Sequence, residues 1–166
     1  MGAVEAIHVA PAAGEPMRSL DRARALSGVG LEGDRYATRT GHWSPMRRSG
    51  DGLTLIEAEV VDTLAARGIP RDGTRRNVVT RGIDLDALLG RTFRIGEVTF
   101  RTMRRCEPCS YLDGLLGTSV LDDLVHRGGI RVEVLSDGWI GVGDRIEPLD
   151  APAVRVDGPG WQTQAP

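Results

Sequence analysis

The chain has 166 residues, 40% of them hydrophobic, and a net charge of −2. That is enough for one domain with a real core and too little for two comfortable ones. The weak charge gives no general attraction to nucleic acid or membrane, and no apolar run approaches the roughly 20 residues that span a bilayer.

Residues 4–12, VEAIHVAPA, alternate as a strand, with Val4, Ala6 and His8 on one face and Glu5, Ile7 and Val9 on the other. This N-terminal stretch has no basic n-region and carries Glu5, so a signal peptide is not expected and the expected location is cytoplasmic. SLDRARALSG fits one or two helical turns or a polar strand. In GVGLEG, Gly28, Gly30 and Gly33 match the spacing G-x-G-x-x-G, but no strand leads in and no helix leads out, so an irregular turn is expected. LTLIE (Leu53 to Glu57) is a short apolar strand. EAEVVDTLAARG is a helix with Val60, Val61, Leu64 and Ala65 on one face and Gly68 as its stop. RRNVVTRG reads as a strand, DLDALLG as a helical turn, and TFRIGEVTFRTM as a hairpin turning near Gly96 and Glu97. TSVLDDLVHRGG reads as a second helix, capped by Ser119, with Val120, Leu121, Leu124 and Val125 inward and Gly128–Gly129 at its end. IRVEVLSDGWIGVGDRIEPL reads as a last hairpin with a tight turn at Asp137–Gly138. Residues 1–149 are expected as one domain, and the Pro/Gly-rich residues 150–166 as a flexible tail. Many short strands with glycine turns suggest a barrel.

All 21 basic residues are arginine. Without lysine no Schiff base forms, so no covalently held pyridoxal phosphate is expected, and an anion site must use arginine, backbone N–H groups or neutral side chains. Arg35, projecting from a glycine-shaped turn, can serve an anion or pair with Glu32 or Asp34. In a strand, Arg75 and Asn77 share a face and Arg76 takes the other. A guanidinium and an amide on one face can bind a phosphate or a pterin edge, but from these residues alone a solvated strand edge is the favoured reading.

The only cysteines are Cys106 and Cys109, in MRRCEPCSYLDG. A zinc ribbon would need a second such pair, and His8, His42 and His126 could complete a site only by accident of folding. A thioredoxin-like pair needs its first thiol at a helix N-terminus, whereas Cys106 ends a strand. Two readings remain: inert core thiols, or an exposed thiolate among arginines, which is a soft metal ligand. Alternation puts one of Arg104 and Arg105 inward.

GLEGDRYA, TLIEAE, RRNVVTRGIDLDALLGRTFRIGEVTF, CEPCSYL and HRGGIRVEVLSDGWIGVGD, in this order, resemble the MOSC domain. That domain ends molybdenum cofactor sulfurases and also occurs as small standalone bacterial proteins. The resemblance implies a mainly β fold: a distorted closed barrel of the MOSC or pyruvate-kinase-barrel type with a few short helices. It implies that Cys109 is the family's catalytic cysteine and ligates molybdenum or carries sulfur, with Cys106 a helper at most. It places Arg35, Arg75 and Asn77 around the pterin and phosphate of the molybdenum cofactor (molybdopterin), with Arg76 and Thr54 as neighbours. The implied function is reduction of N-hydroxylated or N-oxide small molecules. No flavin or iron–sulfur motif is present, so an external electron donor is the expected partner. The alternative is a non-catalytic module that delivers cofactor or carries sulfur as a Cys109 persulfide, loaded by a cysteine desulfurase.

Overall fold

The computed structural model describes residues 2–40 and 52–149; His42 and the tail from Asp150 lie outside the described residues. The strands are β1 (Gly2–Val9), β2 (Arg18–Leu20), β3 (Arg22–Leu26), β4 (Gly30–Leu31), β5 (Leu53–Glu57), β6 (Val78–Arg81), β7 (Thr92–Ile95), β8 (Val98–Arg105), β9 (Ile130–Val134), β10 (Gly138–Gly141) and β11 (Arg145–Pro148). Four short helices accompany them: α1 (Arg35–Thr38), α2 (Ala58–Ala65), α3 (Ser110–Leu116) and α4 (Leu121–Leu124). The turn in DLDALLG is a 3-10 helix, Leu85–Leu88, with the Asp84 carboxylate accepting from the Asp86 N–H.

Seven strands close a mixed barrel in the order β11-β7-β8-β9-β5-β6-β1, sealed by the β1–β11 pairing, and β2 extends the sheet beyond β1. The expected mainly β closed barrel is therefore the observed architecture. Its one parallel pair, β5 with β6, needs a crossover, and α2 supplies it. Side chains fill the lumen, with Ile7, Leu53, Leu55, Val78, Phe93, Phe100, Ile130 and Val132 all buried there. A second apolar cluster lies on the outer face of β5 and β6. There Ile56 and Val79 meet Val60, Val61 and Leu64 of α2, Leu112 of α3 and Leu124 of α4. Arg71 and Arg81 each bridge Glu5 of β1 and Asp62 of α2, which ties this helix to the barrel wall.

Three expectations are corrected and one open reading is settled. A register shift between Val4 and Ala6 breaks the alternation of β1, so Val4 joins Ile7 and Val9 in the lumen while Ala6 turns to the outer cluster. The ambiguous SLDRARALSG forms two strands. The last hairpin does not form: β10 leaves β9 and pairs with β3 in a separate three-stranded sheet, anchored where the Ser27 N–H donates to the Asp137 carboxylate at 2.7 Å. The second helix is shorter than its pattern. Val125 is 41% exposed, and the Ser119 hydroxyl bonds the Asp113 carboxylate at 3.1 Å instead of capping α4.

Gly128 and Gly129 do not merely stop a helix. A Cβ on Gly128 would collide with the Cys106 carbonyl oxygen, and one on Gly129 with the Leu55 carbonyl oxygen. Gly129 also has φ +87°, which L side chains rarely adopt. By contrast, Gly28 has φ +71° with nothing near its missing Cβ. Gly28→Ala should cost about 1 kcal/mol through backbone strain alone, and Gly129→Ala at least about 3 kcal/mol, read as shifts of the urea midpoint. Equal midpoints for the two variants would refute the close-approach account of Gly129.

Candidate functional site

The site grows from the point where β5, β6 and β1 meet. Thr54 lies between Leu53 and Leu55, whose side chains enter the lumen, so its own points outward. Its N–H and hydroxyl donate to Asn77 Oδ1 at 3.0 and 3.2 Å, and its hydroxyl oxygen accepts from the Asn77 N–H at 3.1 Å. Asn77 Nδ2 donates to the His8 carbonyl at 3.1 Å, and the His8 N–H donates to the Asn77 carbonyl at 2.6 Å. Thr54 and Asn77 are fully buried. Burial also holds the His8 imidazole below its ordinary pKa, and its Nδ1 faces the Ser19 hydroxyl at 3.2 Å. On the other side, Thr54 is the cross-strand partner of Arg131, and Arg131 that of Arg104. Cross-strand partners share a face, so a polar row crosses the outside of the barrel from β8 to β2. Arg104 is therefore buried, at 6% exposure, on the outer face of the barrel and not in its interior, while Arg105 pairs with Asp86.

Just upstream of Asn77 the chain is not a strand. Arg75 has φ +59°, and this left-handed residue sends two consecutive arginines apart. Arg76 donates from Nε to the Gly128 carbonyl (2.9 Å), from Nη1 to the Thr74 carbonyl (3.1 Å) and from Nη2 to the Cys106 carbonyl (3.3 Å). Arg75 goes the other way, with Nη1 donating to the Glu15 carbonyl at 2.7 Å. Its Nη2 is buried and has no hydrogen-bond partner among the described residues. Burial, and then the neighbouring Arg35 charge, hold the Arg75 pKa below its ordinary value.

Arg35 opens α1 and is 5% exposed. It pairs with buried Asp34 at 3.1 Å, donates to the Arg75 carbonyl at 2.8 Å, and lies 4.5 Å over the Tyr36 ring. Of the sequence alternatives for Arg35, the structure thus holds the ion pair with Asp34, but buried instead of at the surface. Arg131 lies 5.7 Å from the same ring. Tyr111, on the helix that follows Cys109, is among the electrostatic neighbours of Arg75.

The two thiols differ. Cys106 is buried at 1% exposure, its N–H donating to the Gly129 carbonyl at 2.8 Å. Cys109 is half-buried, free, and sits at the N-cap position of α3, where its carbonyl accepts from the Leu112 N–H at 3.1 Å. Sequence reasoning placed no helix here. The signal for α3 was present: Leu112, Leu115 and Leu116 at helical spacing, closed by Gly117 in the left-handed conformation. It also missed Tyr111 and the contact of Glu107 with His126. The structure therefore brings Arg35 and Arg75 together, sets Arg76 against the cysteine loop, and commits Thr54 and Asn77 to each other. The amide of Asn77 is engaged at both ends, which corrects the expectation that it shares an open face with Arg75.

The MOSC domain family pattern matches residues 48–147, more than half of the chain. The chain belongs to the MOSC domain family. Solved structures of similar fold include the YuaD protein of Bacillus subtilis, with 19% identity over 89% of this chain and 96% of that one and a TM-score of 0.70. YiiM from Escherichia coli has 18% identity over 90% of this chain and 70% of its own, with a TM-score of 0.61. YiiM from Geobacillus stearothermophilus has 14% identity over 92% of this chain and 77% of its own, with a TM-score of 0.63. Comparison with curated protein sequences produced no match. The MOSC family is associated with the molybdenum cofactor. No helix among the described residues is long and apolar enough to cross a membrane.

The MOSC site fits such a group in two respects. Arg75 holds an unpartnered buried donor beside a second arginine, which suits an anionic phosphate. The half-buried, free thiol of Cys109 offers one soft ligand to a metal; among the described residues no group of three His, Cys, Asp or Glu side chains is placed to hold a metal ion. The division of labour is testable on the unloaded protein. Asn77→Ala strands buried Thr54 and His8 groups and should cost about 2–4 kcal/mol. Arg75→Gly relieves the positive φ and removes an unpaired donor, and should leave stability within about 1 kcal/mol of wild type. Urea titration of both variants checks this; a larger loss for Arg75→Gly than for Asn77→Ala would contradict it.

Proposed function

We propose that this MOSC protein binds the molybdenum cofactor, with Cys109 as the thiolate ligand of molybdenum, and reduces N-hydroxylated or N-oxide compounds using electrons from an external donor. The observation that carries the reading is the unpartnered, buried Nη2 of Arg75 next to Arg35, in a site whose one half-exposed thiol is Cys109. The bound cofactor supplies two-electron transfer between donor and substrate. The residues supply the rest. A thiolate is a soft ligand, and Cys109 is free to provide one. Arg75 binds the anionic end of the cofactor, and Arg35 braces Arg75 through its carbonyl oxygen. Asp34 offsets the Arg35 charge, and Arg76 holds the backbone ahead of the thiol. Reduction of an N-hydroxyl group to an amine takes up two electrons and two protons and releases water, with the electrons coming from the external donor.

A second reading uses the same thiol. Cys109 is free while Cys106 is buried, so Cys109 is also the thiol able to accept sulfur from a cysteine desulfurase and carry it as a persulfide. Mass spectrometry after incubation with a desulfurase and cysteine distinguishes the two. A sulfur mass gain on Cys109, in protein that retains no molybdenum, favours the carrier.

For the first reading, molybdenum per protein is measured after expression in a cofactor-producing host, with circular dichroism as the folding control. Cys109→Ser should lose molybdenum, because serine is nearly isosteric but a harder ligand. Cys106→Ser should keep most of it. Arg75→Ala should weaken cofactor binding by about 1.5–3 kcal/mol, the scale of a hydrogen bond to a charged group. Equal molybdenum in wild type and Cys109→Ser would end the thiolate-ligand reading. With molybdenum bound and a chemical reductant supplied, no turnover of any amidoxime or N-hydroxylated base would end the reductase reading.

A further inference from the structure

We propose that Arg76, together with the Glu107–His126 pair, is a positioning device for Cys109: it clamps the loop that carries the thiol to the segment before β9. The inference rests on the reading of Cys109 as the ligating thiolate. Its basis is the way the loop is held. Among the described residues no hydrogen bond or ion pair fixes the Cys109 thiol itself, so its place depends on the backbone on either side.

On the upstream side that backbone is tied at consecutive residues. The Cys106 N–H donates to the Gly129 carbonyl at 2.8 Å, and the Cys106 carbonyl accepts from Arg76 Nη2 at 3.3 Å. The Glu107 carboxylate takes the His126 N–H at 3.5 Å and lies 3.6 Å from His126 Nδ1. Pro108 then restricts φ, and Cys109 enters α3. On the opposite side, Arg76 Nε holds the Gly128 carbonyl at 2.9 Å, so one guanidinium grips both segments. His126 has φ +58°, a left-handed conformation for a residue that is not glycine, and Gly128 packs where any side chain would collide with Cys106. Arg76 spends its donors on three carbonyls and adjoins Arg75, whose Nη2 is open. Two neighbouring arginines thus divide the work: Arg75 faces the anion, and Arg76 sets the thiol.

The experiment uses the unloaded full chain and follows alkylation of Cys109 by iodoacetamide at one fixed pH, read by mass spectrometry, with a urea titration of each variant. Arg76→Met removes the clamp, so the loop should open and Cys109 should react at least about threefold faster than in wild type while the protein remains folded. A purely structural Arg76 would lower stability and leave the rate in folded protein alone. Arg76→Met strands buried carbonyls and could fail to fold, so Glu107 supplies an independent arm at an exposed position. Glu107→Ala and Glu107→Gln lose the same charge, but glutamine keeps an oxygen for the His126 N–H. Cys109 in Glu107→Ala should react at least about threefold faster than in Glu107→Gln, which should stay close to wild type. Equal rates in the two Glu107 variants, or a wild-type rate in folded Arg76→Met, would overturn the proposal. The ligand reading fails separately. If Cys109→Ser keeps molybdenum while these rates change, the positioning stands without the ligand; unchanged rates with molybdenum lost in Cys109→Ser leave the ligand without the positioning.

Discussion

The structure turns on the mutual hydrogen bonding of Thr54 and Asn77. A buried amide with an open donor or acceptor is costly, and here both ends of the Asn77 side chain are taken, by Thr54 and by the His8 carbonyl. This knot joins β5, β1 and the entry to β6, at the start of the parallel pairing of β5 with β6. Because Asn77 cannot shift, the residues immediately before it cannot either. The left-handed turn at Arg75 is held against that anchor, and the divergence of Arg75 and Arg76 follows from it.

The site is accordingly built from segments outside the strands, each brought close to a rigid wall. Arg35 comes from the short α1, Arg75 and Arg76 from the approach to β6, and Cys109 from the link between β8 and α3. Glycines make the approach possible. Gly128 and Gly129 let two backbones pass closer than any side chain allows, which is how the thiol loop reaches the Arg76 guanidinium. Buried positive charge then concentrates at this end. Arg35, Arg76 and Arg104 are all nearly inaccessible, and the Arg75 pKa is depressed by its burial and by Arg35. Asp34 compensates Arg35 and carbonyl oxygens compensate Arg76, while one nitrogen of Arg75 remains unsatisfied. An orphaned donor of this kind is unfavourable in the empty fold, and the cost is accounted for if an anion completes it.

How much of this was legible in the sequence depended on whether the signal was local. LTLIE, the α2 pattern and the Gly96–Glu97 hairpin have periods and turn residues of their own, and all three occur where the pattern puts them. The family resemblance carried the closed barrel, which no single strand could reveal. Long-range choices were not legible. The DG dipeptide at Asp137 is a hairpin signal, but Asp137 is claimed by the Ser27 N–H from far away in the chain, and β10 joins β3. Alternation misplaced Val4 because a bulge adds a residue that periodicity cannot see. It misplaced Arg75 and Asn77 for a related reason: the strand starts at Val78, after the left-handed turn. Glu107 and His126 looked like ordinary polar residues, since only the fold brings them into contact.

The central claim is that the Cys109 sulfur is bonded to molybdenum. X-ray absorption at the molybdenum edge counts the sulfur atoms bound to the metal. It should be compared between the protein loaded in a cofactor-producing host and the Cys109→Ser chain given cofactor in excess. The account predicts that the variant spectrum loses the contribution of one protein sulfur. An unchanged sulfur shell in Cys109→Ser, with the metal still bound, would contradict it.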